Sequence, residues 1–137
     1  MKPILVDSNI LIDIFTKDTV WGTWSRDKLT ELSRQVRLIL NPVVYSEISV
    51  SYKNIEQLDA VLHKLPLRYE EIPKAALFLA AKAFVNYRRK GGTKTAPLPD
   101  FFIGAHAAVR GFLVITRDPS RIAYYFPTVE MITPEHA

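Results

Sequence analysis

The sequence contains no cysteine, which excludes disulfide bonds and thiolate metal sites. The absence of cysteine suits a cytoplasmic protein, and that is the location we expect. Glycine is scarce, with 5 residues in 137, and neither a Gly-x-x-x-x-Gly-Lys-Ser/Thr loop nor a Gly-x-Gly-x-x-Gly turn occurs. ATP and NAD are therefore poor candidates for cofactors. No apolar run could span a bilayer and no signal peptide is visible, so we expect no membrane association.

The composition that remains is that of an ordinary globular domain. Apolar residues make up 48% of the chain and charged residues 23%. A length of 137 residues fits one domain with its own core, and no linker or internal repeat divides the sequence. We therefore predict a single domain over residues 1–137.

Predicted strands alternate with predicted helices along the chain. The strands are expected at residues 3–7, 36–40, 69–72, 112–115 and 129–132. The helices are expected at residues 8–16, 21–35, from 42 onward, 54–65, 73–90 and from 99 onward. Residues 124–127 are interpreted as an aromatic packing segment between the last two strands. Such alternation predicts an α/β fold in which helices cover both faces of a parallel sheet.

Four acidic residues lie where predicted strands end or inside predicted helices near their start. Asp7 closes the first strand and Asp118 follows the fourth, while Asp100 opens one helix and Glu47 lies within another. Ligands of an open parallel sheet bind beyond the carboxyl ends of its strands. Carboxylates gathered there repel one another unless a cation joins them, and hard divalent cations prefer oxygen ligands. The sequence therefore predicts an acidic, metal-binding site on an α/β scaffold.

Several of these acids also have a purely structural interpretation. Asp7 could cap the helix that follows it, although Ser8 or Asn9 could do so as well and leave Asp7 free. Asp100 would be stabilised by the dipole of its helix, and Asp118 precedes a proline as turn residues often do. The four acids together, rather than any one of them, favour a site.

Other ionisable residues are expected in different surroundings. Glu47 shares a helix face with Val43 and Val44, so its carboxylate needs a partner, either a metal-bound group or a salt bridge. Asp13 is expected to face water. His106 lies among alanines and is expected to be a packed side chain rather than a general base.

The basic residues are concentrated away from the acids in the sequence. The net charge is +4 and the pI is about 9.4. Arg88, Arg89 and Lys90 are consecutive, and Lys94 is close by. A metal-dependent nuclease requires cations at the cleavage point and basic side chains along the flanking phosphates. We predict that Arg88, Arg89 and Lys94 bind RNA, and a solvated helix end is the alternative.

Four blocks of the sequence resemble a PIN-domain ribonuclease, and within that group a VapC-like toxin. The blocks are Val6–Asp13, Pro42–Glu47, Pro97–Ala107 and Ile115–Asp118, and the segment Tyr87–Thr93 is similar as well. They follow the order of the family and span almost the whole chain. The resemblance implies a three-layer α/β/α fold with a parallel sheet, RNA as the substrate, a homodimer and a cognate antitoxin.

The resemblance also implies roles for individual residues. An acidic site around Mg²⁺ or Mn²⁺ would be formed by Asp7, Glu47, Asp100 and Asp118. Polar groups that support this site or contact the substrate would be Ser8, Asn9 and Thr116. An aspartate-dependent phosphatase is a weaker alternative, because that chemistry usually needs a second aspartate two residues after the first and this chain has Asn9 there. A catalytically silent nucleic-acid-binding module is the other alternative, although all four acids are present.

Overall fold

The computed structural model of the chain describes residues 1–134, which form a five-stranded sheet and seven helices. The strands are β1 (Ile4–Val6), β2 (Leu38–Leu40), β3 (Leu67–Tyr69), β4 (Leu113–Ile115) and β5 (Met131–Ile132). The helices are α1 (Ser8–Phe15), α2 (Gly22–Ser33), α3 (Pro42–Ser49), α4 (Ile55–Leu62), α5 (Lys74–Arg89), α6 (Pro99–Arg110) and α7 (Ser120–Tyr125). All strand pairs are parallel, and the order across the sheet is β3-β2-β1-β4-β5. The predicted three-layer α/β/α class is confirmed.

The three central strands are buried along their whole length. β1, β2 and β4 consist of the apolar triplets Ile-Leu-Val, Leu-Ile-Leu and Leu-Val-Ile. A strand that is covered by helices on both faces reads as such a continuous apolar run and does not alternate. β1 lies in the middle, where Ile4 is paired with Leu38 on one side and with Leu113 on the other. These strands form the centre of the hydrophobic core.

Two predicted elements differ from the structure. β3 lies at residues 67–69, whereas the prediction was 69–72. Pairing with β2 decides the position of this strand, and the ladder ends where Glu70 N–H donates to Leu40 O at 2.9 Å. Tyr124 and Tyr125 belong to helix α7, so the aromatic segment predicted there was only partly right.

The strand order creates a switch point next to β1. From β1 the chain proceeds to β2 and β3 on one side, and later it enters β4 on the other side. The carboxyl ends of β1 and β4 are therefore adjacent, and Asp7 N–H donates to Ile115 O at 3.0 Å. This is where ligands of such sheets bind. No helix within residues 1–134 is long and apolar enough to cross a bilayer.

Candidate active site

Asp7 occupies the junction between β1 and α1 and is almost completely buried. One carboxylate oxygen accepts a hydrogen bond from Ser8 N–H at 2.7 Å, so Asp7 itself caps α1. Of the three capping candidates in the sequence, Asp7 and not Ser8 or Asn9 is the cap, and it has the extended backbone of an N-cap residue. The other oxygen accepts from Thr116 Oγ1 at 2.7 Å and from Asn9 Nδ2 at 3.3 Å.

Asn9 and Thr116 tie the ends of β1 and β4 together. Asn9 Nδ2 donates to Thr116 Oγ1 at 3.2 Å, and Arg117 N–H donates to Asn9 Oδ1 at 3.2 Å. Thr116 Oγ1 also accepts from Asp118 N–H at 3.0 Å. The structure thus places Ser8, Asn9 and Thr116 around Asp7, and their contribution to catalysis stays a prediction.

Glu47 projects from α3, whose start is fixed by two local signals. Asn41 accepts from Val44 N–H at 2.9 Å as the cap, and Pro42 occupies the first turn. The Oε1 atom of Glu47 is buried and has no hydrogen-bond partner within residues 1–134. Burial raises the pKa of Glu47, and the nearby carboxylates of Asp7 and Asp100 raise it further, while the Ser8 hydroxyl opposes them.

Asp100 is partly exposed and Asp118 is exposed. Asp100 lies in the first turn of α6, and its carboxylate is 3.5 Å from a guanidinium nitrogen of Arg121. Burial raises the pKa of Asp100, as do Asp7 and Asp118, whereas Arg121 lowers it. Asp118 is exposed at the end of the loop after β4, where its Oδ1 accepts from Ser120 Oγ at 3.3 Å.

The structure brings all four predicted acids into one electrostatic group. Burial raises the pKa of Asp7 and Asp118 adds to the rise, and the Asp7 charge in turn raises the pKa of both Glu47 and Asp100. No three acidic or histidine side chains of residues 1–134 are gathered closely enough to hold a metal ion as they stand.

Asp13 was predicted from the sequence to face water, but in the structure it does not. It is buried, and its Oδ1 accepts from Arg117 Nη2 at 2.9 Å while its Oδ2 accepts from Arg117 Nε and from Ser25 Oγ. Arg117 also lies over the ring of Trp21, with 5.5 Å between the guanidinium carbon and the ring centroid. The bidentate pair fastens the loop that carries Thr116 and Asp118 to helix α1. Sequence reasoning missed this role of Arg117, since nothing local links it to Asp13.

The basic segment is exposed at the end of α5, and one of its residues has a structural role. Arg88 Nη1 donates to the carbonyl oxygens of Gly92 and Lys94, both at 3.1 Å, and thereby shapes the loop after α5. The side chains of Arg89 and Lys94 form no hydrogen bond or ion pair with residues 1–134. RNA binding by Arg88, Arg89 and Lys94 stays a prediction. Arg121 was missed as a functional candidate, because no local pattern links it to Asp100, beside which the structure places it.

His106 is fully buried, as expected for a packed side chain. Its Nδ1 lies 3.2 Å from Asn41 Nδ2, and its ring contacts Phe112 with 5.4 Å between the ring centroids. Burial lowers the pKa of His106, so the ring is neutral near pH 7. His106 thus contacts Asn41, the residue that caps α3.

Comparisons with known proteins agree with this architecture. The fold is similar to a chain of the VapBC2 complex of Rickettsia felis bound to a DNA fragment from its promoter, with a TM-score of 0.74, 16% identity, and 97% of this chain and 99% of that chain covered. It is also similar to a chain of DNA-bound VapBC from Salmonella typhimurium (TM-score 0.69, 20% identity, 97% and 98% covered). A third similar chain comes from a toxin-antitoxin complex of Klebsiella pneumoniae (TM-score 0.66, 23% identity, 98% and 99% covered). A search of curated protein sequences found no match.

The sequence itself assigns the family. A family model described as the PIN domain matches residues 4–125, which include β1, β4 and all four acids of the candidate site. PIN domains are typically nucleases. The chain therefore belongs to the PIN-domain family.

Proposed function

We propose that the protein is a metal-dependent endoribonuclease that hydrolyses RNA phosphodiester bonds, with Mg²⁺ or Mn²⁺ held by Asp7, Glu47, Asp100 and Asp118. The observation that carries this proposal is the convergence of these carboxylates from four chain segments on one electrostatic group. Membership of the PIN-domain family supports a nuclease over the other classes that an acidic site could serve.

The residues present fit such an ion. The donors are all carboxylate oxygens, which Mg²⁺ and Mn²⁺ prefer. Glu47 Oε1 is buried without a hydrogen-bond donor, and a cation would satisfy it. Burial raises the pKa values of Glu47, Asp7 and Asp100, repulsion from neighbouring carboxylates adds to the rise, and a bound cation would lower all three values.

The side chains around Asp7 hold it in an orientation that suits a metal ligand. Thr116 Oγ1 and Ser8 N–H fix one carboxylate oxygen each at 2.7 Å, so the group cannot rotate freely. A bound divalent ion would lower the pKa of a water molecule and stabilise charge on the attacked phosphate. Arg121 and the cations at the end of α5 would hold phosphates that flank this point.

The proposed biological setting is a toxin controlled by an antitoxin in the cytoplasm. The similar structures from Rickettsia felis, Salmonella typhimurium and Klebsiella pneumoniae are complexes of VapBC or of a toxin with its antitoxin, and the similarity extends over nearly the full length of both chains. We propose a cognate antitoxin as the protein partner and a homodimer as the assembly. RNA remains the proposed substrate, and the alternative substrates are single-stranded DNA and small phosphate esters.

The experiment is a cleavage assay with purified protein on total RNA, single-stranded DNA and p-nitrophenyl phosphate, each with Mg²⁺, Mn²⁺ or EDTA. We expect cleavage of RNA that requires the metal. Asp100→Asn should reduce it at least about 100-fold, because loss of one ligand removes several kcal/mol of charge stabilisation. Cleavage that persists in EDTA, or hydrolysis of the small ester alone, would contradict the proposal.

A further inference from the structure

A cleft of about 390 Å³ opens beside Asp100 and Asp118. It is lined by Lys90, Asp100, Asp118, Ser120, Arg121, Tyr124 and Tyr125. A volume of this size falls in the range of small-ligand sites and suits one nucleotide unit. The three residues predicted from the sequence to bind RNA are not among the lining residues. Apart from Asp100 and Asp118, none of the lining residues was predicted from the sequence to belong to the site.

The cleft contains an exposed aromatic ring on a rigid support. Tyr124 is 58% exposed, and its ring meets that of Tyr125 edge-on with 4.7 Å between the centroids. Tyr125 in turn packs against the fully buried Phe101 at 5.0 Å. A large exposed ring held in place from behind is suited to stacking of a nucleobase, because stacking needs a fixed planar face and little ordering on binding.

Two cations accompany this ring. Lys90 Nζ lies 4.5 Å from the centroid of Tyr124 and donates a hydrogen bond to its hydroxyl. Lys90 directly follows the last residue of α5, Arg89, and the chain turns after it at Gly91, whose φ is 89°. Arg121 lies on the same helix as Tyr124, three residues earlier, and is the cation beside Asp100.

We propose that this cleft is a nucleotide subsite next to the scissile phosphate, in which Tyr124 stacks on a base and Lys90 and Arg121 bind the adjoining phosphates. The proposal rests on the proposed function and deepens it. An aromatic face between cations fits a single-stranded nucleic acid, since every base offers a π face and every linkage a negative charge. A basic peptide would meet two like charges here, so RNA is the favoured occupant.

Arg121 has a second consequence in this arrangement. Its guanidinium lies 3.5 Å from the Asp100 carboxylate and neutralises part of its charge. A metal ion held by Asp100 would compete with Arg121 for the same carboxylate. Removal of Arg121 should therefore strengthen metal binding and weaken RNA binding, and these opposite signs separate its role from a general loss of structure.

The test compares cleft variants with matched controls elsewhere on the molecule. The cleft variants are Tyr124→Leu, Lys90→Gln and Arg121→Gln. Phe78→Leu and Lys82→Gln are controls, since Lys82 Nζ lies 5.0 Å from the exposed ring of Phe78 on α5, and Arg110→Gln is a control for an arginine paired with a carboxylate, here Glu70. Binding of a fluorescent single-stranded RNA of 12 nucleotides is measured by anisotropy in EDTA, and Mn²⁺ binding by electron paramagnetic resonance.

We expect Tyr124→Leu to weaken RNA binding about tenfold, and Tyr124→Phe, which keeps the ring, to retain most of it. Lys90→Gln and Arg121→Gln should weaken it several-fold. Arg121→Gln should also bind Mn²⁺ more tightly than the wild type, and the three controls should match the wild type in both measurements. Thermal melts identify any variant that fails to fold. The comparison of RNA affinity between Tyr124→Phe and Tyr124→Leu then decides whether the ring of Tyr124 stacks on a base.

The two proposals fail in different ways. Equal RNA affinity in the cleft variants and the control variants overturns the nucleotide subsite. The exposed Tyr124 ring would then be a contact surface for a protein partner. Selective loss of RNA binding in the cleft variants, combined with no cleavage by the wild type in Mg²⁺ or Mn²⁺, supports the nucleotide site and overturns the nuclease.

Discussion

At the scale of single residues, the acids of the candidate site lie near one another although their negative charges repel. Glu47 shows this most clearly, because its Oε1 is buried without a partner and its pKa is raised first by burial and then by Asp7 and Asp100. A carboxylate whose pKa is higher in the folded than in the unfolded protein destabilises the fold once it ionises. The protein retains this unfavourable group at the carboxyl edge of the sheet, which is the behaviour expected of a binding site.

Replacement of Glu47 by glutamine should therefore stabilise the metal-free protein in a pH-dependent way. Protonated Glu47 contributes to the stability of the fold. This contribution is fully present below the ordinary pKa of 4.5 and is lost as the pH rises through the raised pKa of the folded protein. Glu47→Gln should match the wild type at pH 4.5 and below and unfold at a higher temperature at pH 7 to 8. The gain should be at most about 1 kcal/mol, since Glu47 is half-buried and solvent screens part of the repulsion.

Thermal melts across this pH range in EDTA provide the measurement. The control is Glu71→Gln, because Glu71 is an exposed glutamate between β3 and α5. This substitution should change the melting temperature little at any pH. Added Mn²⁺ should reverse the order at pH 7 to 8, because only the wild type keeps all four proposed ligands. A Glu47→Gln protein that is less stable than the wild type in EDTA would make Glu47 a structural residue.

At the scale of elements, the site depends on the loop between β4 and α7. Its consecutive residues Thr116, Arg117 and Asp118 have different roles. Thr116 donates a hydrogen bond to Asp7, Arg117 pairs with Asp13, and Asp118 joins the acidic group. The pair of Arg117 and Asp13 is the fastening of this loop to α1. Its carboxylate side is buried and its arginine side is partly exposed.

Asp13→Asn should remove this fastening and destabilise the fold. Loss of one partner from a buried ion pair costs about 3 to 5 kcal/mol, and we expect about 3 kcal/mol here because the Arg117 side chain is 28% exposed. Urea unfolding at pH 7 measures the change in the free energy of unfolding. Asp27→Asn is the control, since its pair with Arg26 is exposed, and it should cost less than about 1 kcal/mol. Equal effects of the two substitutions would show that the loop does not depend on Asp13.

The same elements show which features local sequence could predict. The acids after β1 and at the start of α6 follow from strand ends and caps, and Asn41 with Pro42 marks the start of α3 through adjacent residues. The Asp13 pair joins residues 104 positions apart, so only the completed sheet brings it together. Helix α7 is six residues long and has no capping side chain, which explains why its aromatic residues were interpreted only as packing groups.

At the scale of the whole molecule, the topology places basic side chains close to the acidic group. The strand order places the acids beyond β1 and β4, and the end of α5 brings Lys90 to the cleft that borders them. Arg89 precedes Lys90 and is exposed, without a side-chain hydrogen bond or ion pair to residues 1–134. An unengaged cation beside a nucleotide cleft is placed to meet a phosphate of a longer RNA.

RNA binding by the whole protein should therefore weaken steeply with salt, and Arg89 should contribute one phosphate contact to that dependence. For a single strand, each neutralised phosphate adds about 0.7 to the slope of log K against log salt concentration, so Arg89→Gln should lower the slope by about that amount. Arg34→Gln is the matched control, because Arg34 is an exposed arginine at the end of α2. It precedes β2 and therefore lies toward the amino ends of the strands, away from the acidic group. Anisotropy titrations of a single-stranded RNA in EDTA at 50 to 300 mM KCl measure both slopes. An unchanged slope in Arg89→Gln would remove this residue from the RNA path, and an equal decrease in Arg34→Gln would show that binding responds to net charge and not to the arrangement of cations around the cleft.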